Sequence, residues 1–390
     1  MRIAFLHTHV IEDLSRFGIS RESYTSHFGY EHRYVRLFNK GPYRSSLLTF
    51  SRSVNEVVVS RHVWGHEIRL IPLKGFKGVR YLRSAGTLVE ALKGFDIVHC
   101  FSYYSNIYDF VAPICRLLGI PIVAQAQGIY PTLGRSVWLR KFFTLRLAEK
   151  LLPLNSSEAE FLRKRFKIGL SRVEVIPNFV DPADHVAIPK DVARRSIGVG
   201  EEEFVVLTVC RLVPQKGVQT LLKAASRLRD ISGLRILVVG DGPYRRELEK
   251  LAKTLKLGDI VRFEGWVHGG RIGLYYSAAD CFVLASSEES FGIVLLEALM
   301  YGLPVVASQT WGAREILREG LNGFMFPVGD DVSLAENIRR VYADPLLGER
   351  FRRAVRDEVL KRYSQENVYR RLSAVYQASA AKQSSLSINS

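Results

Sequence analysis

Short apolar runs recur along this 390-residue chain, and stretches of helical period separate them. The runs are Arg2–Leu6, Glu67–Pro72, Ile97–Cys100, Pro121–Ala124, Val173–Ile176, Phe204–Val209, Arg235–Val239, Ile260–Phe263, Cys281–Ala285 and Pro304–Ala307. Each has the length of a strand buried on both faces. Val218–Leu228, Tyr244–Leu255 and Ile293–Tyr301 carry helical periodicity between them. Strands alternating with helices need crossover connections, which means βαβ units and parallel sheets. So many strands exceed one compact core, and the chain reads as α/β with two open sheets.

The boundary falls in Val175–Asp184, VIPNFVDPAD, where two prolines and an Asn follow a strand. The first domain is expected over 1–178 and the second over 179–364. A last helical segment, Gln365–Ala380, follows a Tyr-Ser break, and the polar tail 383–390 is expected to be disordered. Four cysteines with no C-x-x-C pair read as buried thiols in a reducing compartment. The N-terminus turns polar too soon for a secretory signal, and no run approaches a membrane span. A cytoplasmic protein, peripheral to a membrane at most, is the expectation. Charge is the unusual figure: 55 Lys and Arg against 39 Asp and Glu give +16. That excess points to an anionic partner without naming one.

Three segments of the second half carry chemistry. Cys210–Gly217, CRLVPQKG, follows one strand and precedes a helix. Arg211 and Lys216 therefore stand at the carboxyl end of a parallel strand, where open α/β sheets bind ligands. Two cations beside a helix start can hold a pyrophosphate. Gly240–Tyr244, GDGPY, makes a similar strand-to-helix turn. The third segment runs from Ser286 to Ala298, SSEESFGIVLLEA. Gly292 opens an apolar helix whose bare N–H groups favour a diphosphate. Glu289 stands in the loop before it, and Glu297 lies about a turn and a half inside. Glu297 is flanked by apolar residues, so a dedicated hydrogen-bond partner is expected. Solvated loops, a helix cap and a buried ion pair are the plain alternatives.

Glu289 and Glu297, with seven residues between, resemble the E-x7-E motif of retaining glycosyltransferases of the GT-B fold, especially glycosyltransferase family 4. CRLVPQKG, LVVGDGPYRRELEKLA, VRFEGWV, SSEESFGIVLLEALMYGLPVVAS and GAREILREGLNGFMFPVGD look like successive blocks of that family. GHEIRLIP, DIVHCFSYYS, NSSEAEFL and VIPNFVD resemble its weaker ones. The resemblance implies two Rossmann-like domains facing a central cleft, the donor on the second, the acceptor on the first, and the last helix returning to the first. Carried over, Arg211 and Lys216 clamp the donor diphosphate. The Phe291, Gly292 and Ile293 backbone completes that clamp. Glu297 takes the ribose hydroxyls, and Glu289 contacts the transferred sugar. The base is expected near Gly265–Val267. No cofactor is implied beyond a nucleotide-diphosphate sugar as co-substrate. The chain has no D-x-D, so a metal-bridged diphosphate is not expected.

The first half departs from the pattern. Gln127 falls where family members carry a His that reaches the reacting sugar. A glutamine cannot act as a base, though it can hydrogen-bond a sugar or phosphate. The glycine-rich loop after the first strand is missing, and His7-Thr8-His9 leads instead to Ser15–Gly18. His7 with His9, and His62 with His66, read as structural, and no metal site is expected. His99 ends a strand and is a candidate acceptor-side residue. The polar, aromatic stretch 20–53 is a candidate for acceptor choice. Between 135 and 172, ten Lys and Arg face three acids. Within it, Val137–Leu152 reads as an amphipathic helix able to dock on anionic lipid.

The expected function is metal-independent retaining transfer of a sugar to an acceptor hydroxyl on a lipid-linked, glycan or small-molecule acceptor. A sugar-nucleotide epimerase or a phosphorylase of the same fold is the alternative. A nucleic-acid-binding protein is more remote, because only charge suggests it.

Overall fold

The structure is a computed structural model that describes residues 1–13, 30–73, 84–127, 134–267 and 269–388. Ser15–Gly18 and the part of 20–53 before residue 30 lie outside the described residues. The chain divides into two compact units, Met1–Pro177 with Val368–Ser390, and Asn178–Asn367.

The first unit holds seven strands: β1 (Arg2–Val10), β2 (Arg44–Ser51), β3 (Val58–Arg61), β4 (Glu67–Pro72), β5 (Ile97–Phe101), β6 (Ile122–Gln125) and β7 (Lys150–Leu152). They lie in the order β3-β4-β2-β1-β5-β6-β7, all parallel except β3, which pairs antiparallel with β4 at the edge. The helices are α1 (Tyr30–Asn39), α2 (Ala85–Leu92), α3 (Asn106–Leu117), α4 (Arg135–Thr144) and α5 (Ser156–Phe166). Central strands buried on both faces explain the uninterrupted apolar runs.

β2 was not legible as an apolar run, because RSSLLTFS is rich in hydroxyls. Ser45 Oγ donates to the Val35 carbonyl at 3.0 Å, and Ser51 Oγ to Glu12 at 2.6 Å. Conversely, Val173–Ile176 is not a regular strand. Pro153 and Pro177 frame its path, and it makes one bridge to Leu151.

The second unit begins with α6 (Lys190–Ile197), then alternates β8 (Phe204–Val209), α7 (Val218–Ser226), β9 (Leu234–Val239), α8 (Arg245–Thr254), β10 (Val261–Gly265), α9 (Ile272–Ala278), β11 (Cys281–Leu284), α10 (Ile293–Met300), β12 (Val305–Ser308), α11 (Trp311–Ile316) and β13 (Gly323–Phe326). α12 (Asp331–Tyr342) and α13 (Leu347–Tyr363) follow. Its sheet is parallel throughout, in the order β10-β9-β8-β11-β12-β13. The order reverses between β8 and β11, so the loops leaving these neighbours diverge and open a crevice at their carboxyl ends.

The final helix, α14 (Gln365–Ile388), extends beyond Ala380 through most of the polar stretch expected to be disordered. That stretch has no Gly or Pro to break a helix already under way. From Val368 onward it belongs to the first unit, where Tyr369 and Tyr376 pack on Phe38 at ring distances of 4.9 and 5.2 Å.

Candidate active site

The loops leaving β8 and β11 are fastened together. Ser287 N donates to the Gln215 carbonyl at 2.8 Å. Gly217 has φ +68, and a Cβ there would collide with the Ala285 carbonyl oxygen, so no side chain fits between the two loops. The next loops lock onto this pair. Leu212 N donates to the Asp241 carbonyl at 2.9 Å, tying in the turn after β9, and Gly312 N donates to the Glu289 carbonyl at 2.9 Å, tying in α11.

This frame brings Lys216 and Glu289 into contact. Lys216 Nζ lies 2.6 Å from Glu289 Oε2, with the side chains 25% and 14% exposed. An ammonium has three protons, so two remain for another acceptor. Arg211 stands exposed at the start of the same loop. Gly292, at φ +83, is the N-cap of α10, and no side chain caps that helix. Its first N–H groups and the positive end of its dipole point out of the crevice end of the helix.

Glu297 has its dedicated partner. Tyr276 Oη donates to Glu297 Oε2 at 2.8 Å. The tyrosine is held between Tyr301, stacked at 5.1 Å, and Phe282 at 5.8 Å. Burial, and then the Glu297 charge, push the phenol well above its ordinary pKa, so it stays a donor. Phe291 is different: its ring is 2% exposed and packs edge-on against Tyr363, leaving only its backbone for a ligand. At the end of β10, Trp266 is 48% exposed, and the Gly265 carbonyl accepts from Gly240 N at 2.8 Å.

Tyr276, Ser308 and Gly312 carried no signal in the sequence. Ser308 Oγ donates to the Ser286 carbonyl and so helps hold the loop after β11. Each acts through a contact more than 20 residues away.

In the first unit, His99 is not positioned to meet an acceptor. Its ring is fully buried, with Nδ1 2.5 Å from Tyr376 Oη and Nε2 3.2 Å from Gln125 Oε1. Burial lowers its pKa to about 3. Gln125 also donates to Tyr34 and to the Ile176 carbonyl, so both residues join β5, β6, α1 and α14 from within. Gln127, just past β6, is partly buried, and its Nε2 has no hydrogen-bond partner among the described residues.

Val137–Leu152 also departs from its reading as one amphipathic helix. α4 ends at Thr144, a 3-10 turn follows, and Lys150–Leu152 is a strand. Lys141 is fully buried, bound to Asp109 at 2.7 Å and to the Tyr103 and Ser105 carbonyls. Burial draws its pKa down to about 8. Arg146, Lys150 and Arg172 spend donors on backbone carbonyls. Leu139 and Phe143, four apart on α4, remain 54% and 61% exposed.

A sequence model of Glycosyl transferases group 1 matches residues 189–358, and one of Glycosyltransferase Family 4 matches residues 24–184. The chain belongs to glycosyltransferase family 4. An uncharacterised glycosyltransferase of Methanocaldococcus jannaschii is 28% identical over 293 residues, 72% of this chain and 75% of that protein. The lipopolysaccharide core biosynthesis glycosyltransferase LpsE of Rhizobium meliloti is 33% identical over 196 residues, 50% of this chain and 55% of LpsE. Against LpsE, therefore, the chain spans about half of its relative's length. Among solved structures, sucrose-phosphate synthase of Thermosynechococcus elongatus aligns over 98% of this glycosyltransferase and all of that chain, with TM-score 0.78 at 22% identity. HepE of Anabaena in complex with UDP covers 97% and 100%, with TM-score 0.79 at 19% identity. At these identities the likeness establishes the GT-B fold. Among the described residues, no helix is long and apolar enough to cross a membrane.

Proposed function

We propose that this glycosyltransferase moves a sugar from a nucleotide-diphosphate sugar to an acceptor hydroxyl with retention of configuration, and that the donor binds at the carboxyl ends of β8 and β11. The observation that carries this reading is the Lys216–Glu289 contact between two loops fastened at the switch point, beside an uncapped helix start.

In this reading the diphosphate lies across the α10 N-terminus and takes charge-assisted bonds from Arg211 and the two remaining Lys216 protons. Glu289, held by Lys216, faces the sugar hydroxyls. Glu297, aimed by Tyr276, accepts from the ribose hydroxyls, and the base lies toward Gly265–Val267 with the Trp266 ring at hand. As transfer proceeds, the bond from the anomeric carbon to the β-phosphate oxygen breaks. The acceptor oxygen bonds the same face of that carbon, and its proton passes to the departing phosphate. Cations and helix N–H groups stabilise the charge that develops on the leaving diphosphate, so this route calls for no divalent cation. Gln127 is assigned as a hydrogen-bond donor to sugar or phosphate, not as a base.

The acceptor is assigned to the first unit and is lipid-linked in this proposal. The exposed Leu139 and Phe143, with exposed Arg140 on the same helix and Arg165 over the Trp138 ring, form the surface that meets an anionic membrane on its cytoplasmic face. The test is release of free sugar and nucleotide from UDP- and GDP-sugars with EDTA present, followed by transfer assays on extracted lipids. Turnover with EDTA, with the product keeping the donor's anomeric configuration, supports the reading. A strict need for a divalent cation, or an inverted product, contradicts it.

A further inference from the structure

Three histidines meet where the edge hairpin of the first sheet leans on α1. His32 lies on α1, and His62 and His66 flank the turn between β3 and β4. They are 1%, 3% and 5% exposed. One ring nitrogen of each falls within 4.8 Å of those of the other two. His32 Nδ1 and His66 Nε2 share a proton at 2.8 Å. The His62 ring stacks on His32 at 4.2 Å and on His66 at 4.5 Å. His66 Nδ1 is buried with no hydrogen-bond partner among the described residues. The donor-site residues named above all belong to the other unit and use none of the three.

We propose that His32, His62 and His66 form a transition-metal site that takes one Zn²⁺ or a similar borderline divalent cation and pins the β3–β4 hairpin to α1. Neutral imidazole is a preferred ligand for such ions. A tetrahedral ion at the usual Zn–N length places its nitrogens about 3.4 Å apart. The cluster is gathered to within 4.8 Å, so the rings tilt out of their stack and the hairpin tip closes inward on binding. Water completes the coordination.

The protons balance without an outside base. Each neutral ring keeps one N–H. The proton shared by His32 and His66 moves to a nitrogen facing away from the ion. His62 Nδ1 now accepts from Trp64 N at 3.1 Å. Coordination through either nitrogen of His62 ends that bond, because the ring then offers Trp64 either a metal-bound nitrogen or an N–H. Trp64 is 41% exposed, so its N–H turns to water. Its indole, 4.9 Å from the His62 ring, reports the event.

The test uses the full chain after dialysis against EDTA. Co²⁺ is titrated in and followed by visible d–d absorption, then displaced with Zn²⁺, with stoichiometry from calorimetry. The expected result is one ion per chain with bands of tetrahedral strength, and a change in tryptophan fluorescence on the same isotherm that is lost in Trp64→Phe. His66→Gln and His32→Gln are expected to weaken binding at least tenfold, while His9→Ala leaves it unchanged. Absence of Co²⁺ bands in the wild-type protein overturns the site whether or not the variants fold. Equal binding by folded His66→Gln, checked by circular dichroism, overturns it as well.

Discussion

In the second unit, the charged residues that follow β8 and β11 stay at the strand ends, and Lys216 meets Glu289 across two loops that a single glycine lets close. In the first unit, the polar residues of β5, β6 and α4 turn inward. His99 and Gln125 tie α14 to the sheet, and Lys141 is buried on Asp109. The same residue types thus stay at the open strand ends in one unit and do architectural work in the other. What separates them is position relative to the strand ends. A side chain in a strand flanked on both sides has no route to solvent, whereas one in the loop just beyond it does.

The largest expected effect breaks the comparison on the donor side. Lys216→Ala is expected to lower turnover of a nucleotide sugar by about 100-fold or more, the loss typical of one preorganised charge-stabilising group. Glu297→Ala is expected to raise the KM for the donor and to leave the buried Tyr276 hydroxyl unpaired, which costs about 1–3 kcal/mol of stability. Steady-state kinetics and thermal melts check both.

Next in size is Gly217→Ala. It places a Cβ against the Ala285 carbonyl at a φ that costs a non-glycine residue about 1–3 kcal/mol. A denaturant midpoint lower than wild type, with donor binding weakened in parallel, is the expected result. Unchanged donor affinity contradicts the claim that the two loops form one site.

The first unit is probed by acid. The folded His99 pKa of about 3 lies below its ordinary 6.5, so the unfolded chain takes up that proton first. Stability is therefore fully present above about pH 6.5 and is lost as pH falls toward 3. His7, which burial lowers to about 4, acts in the same sense over a narrower window. Each such group steepens the fall by up to about 1.4 kcal/mol per pH unit. His99→Phe is expected to flatten the pH profile of stability while donor binding near neutral pH stays at the wild-type level.

The smallest effect is at the surface. Phe143→Ser is expected to leave stability within about 0.5 kcal/mol of wild type. It is expected to reduce sedimentation with anionic phosphatidylglycerol vesicles, since an exposed phenyl contributes about 1.5–3 kcal/mol once buried in an apolar phase.

The residues explain what was legible. β8 matches its apolar run end to end, because a central parallel strand leaves an uninterrupted signal, and β4 matches its own although its outer neighbour β3 runs antiparallel. β2 was hidden by hydroxyls that the fold satisfies internally, which no local pattern reveals. At the proposed donor site, Arg211, Lys216 and Glu289 could be placed just beyond strand ends, and Glu297 inside the helix that follows, by chain order alone. Tyr276 and Gly312 could not, since their roles arise from contacts 21 and 23 residues away. His99 illustrates the opposite difficulty. Its place in a strand was legible, but it stands mid-way along β5 rather than at its end, and the neighbours that enclose it come from α1 and from α14, 277 residues on. The histidine trio is a further case, since His32 and His66 are 34 residues apart.

The most direct measurement of the central claim is calorimetric titration of UDP-glucose into the wild-type chain and Lys216→Ala, with GDP-glucose in parallel. The assignment predicts one site for at least one of these donors in the wild type, and a Kd raised at least tenfold by the substitution. Binding of equal strength in a folded Lys216→Ala variant contradicts it and moves the donor away from the ends of β8 and β11.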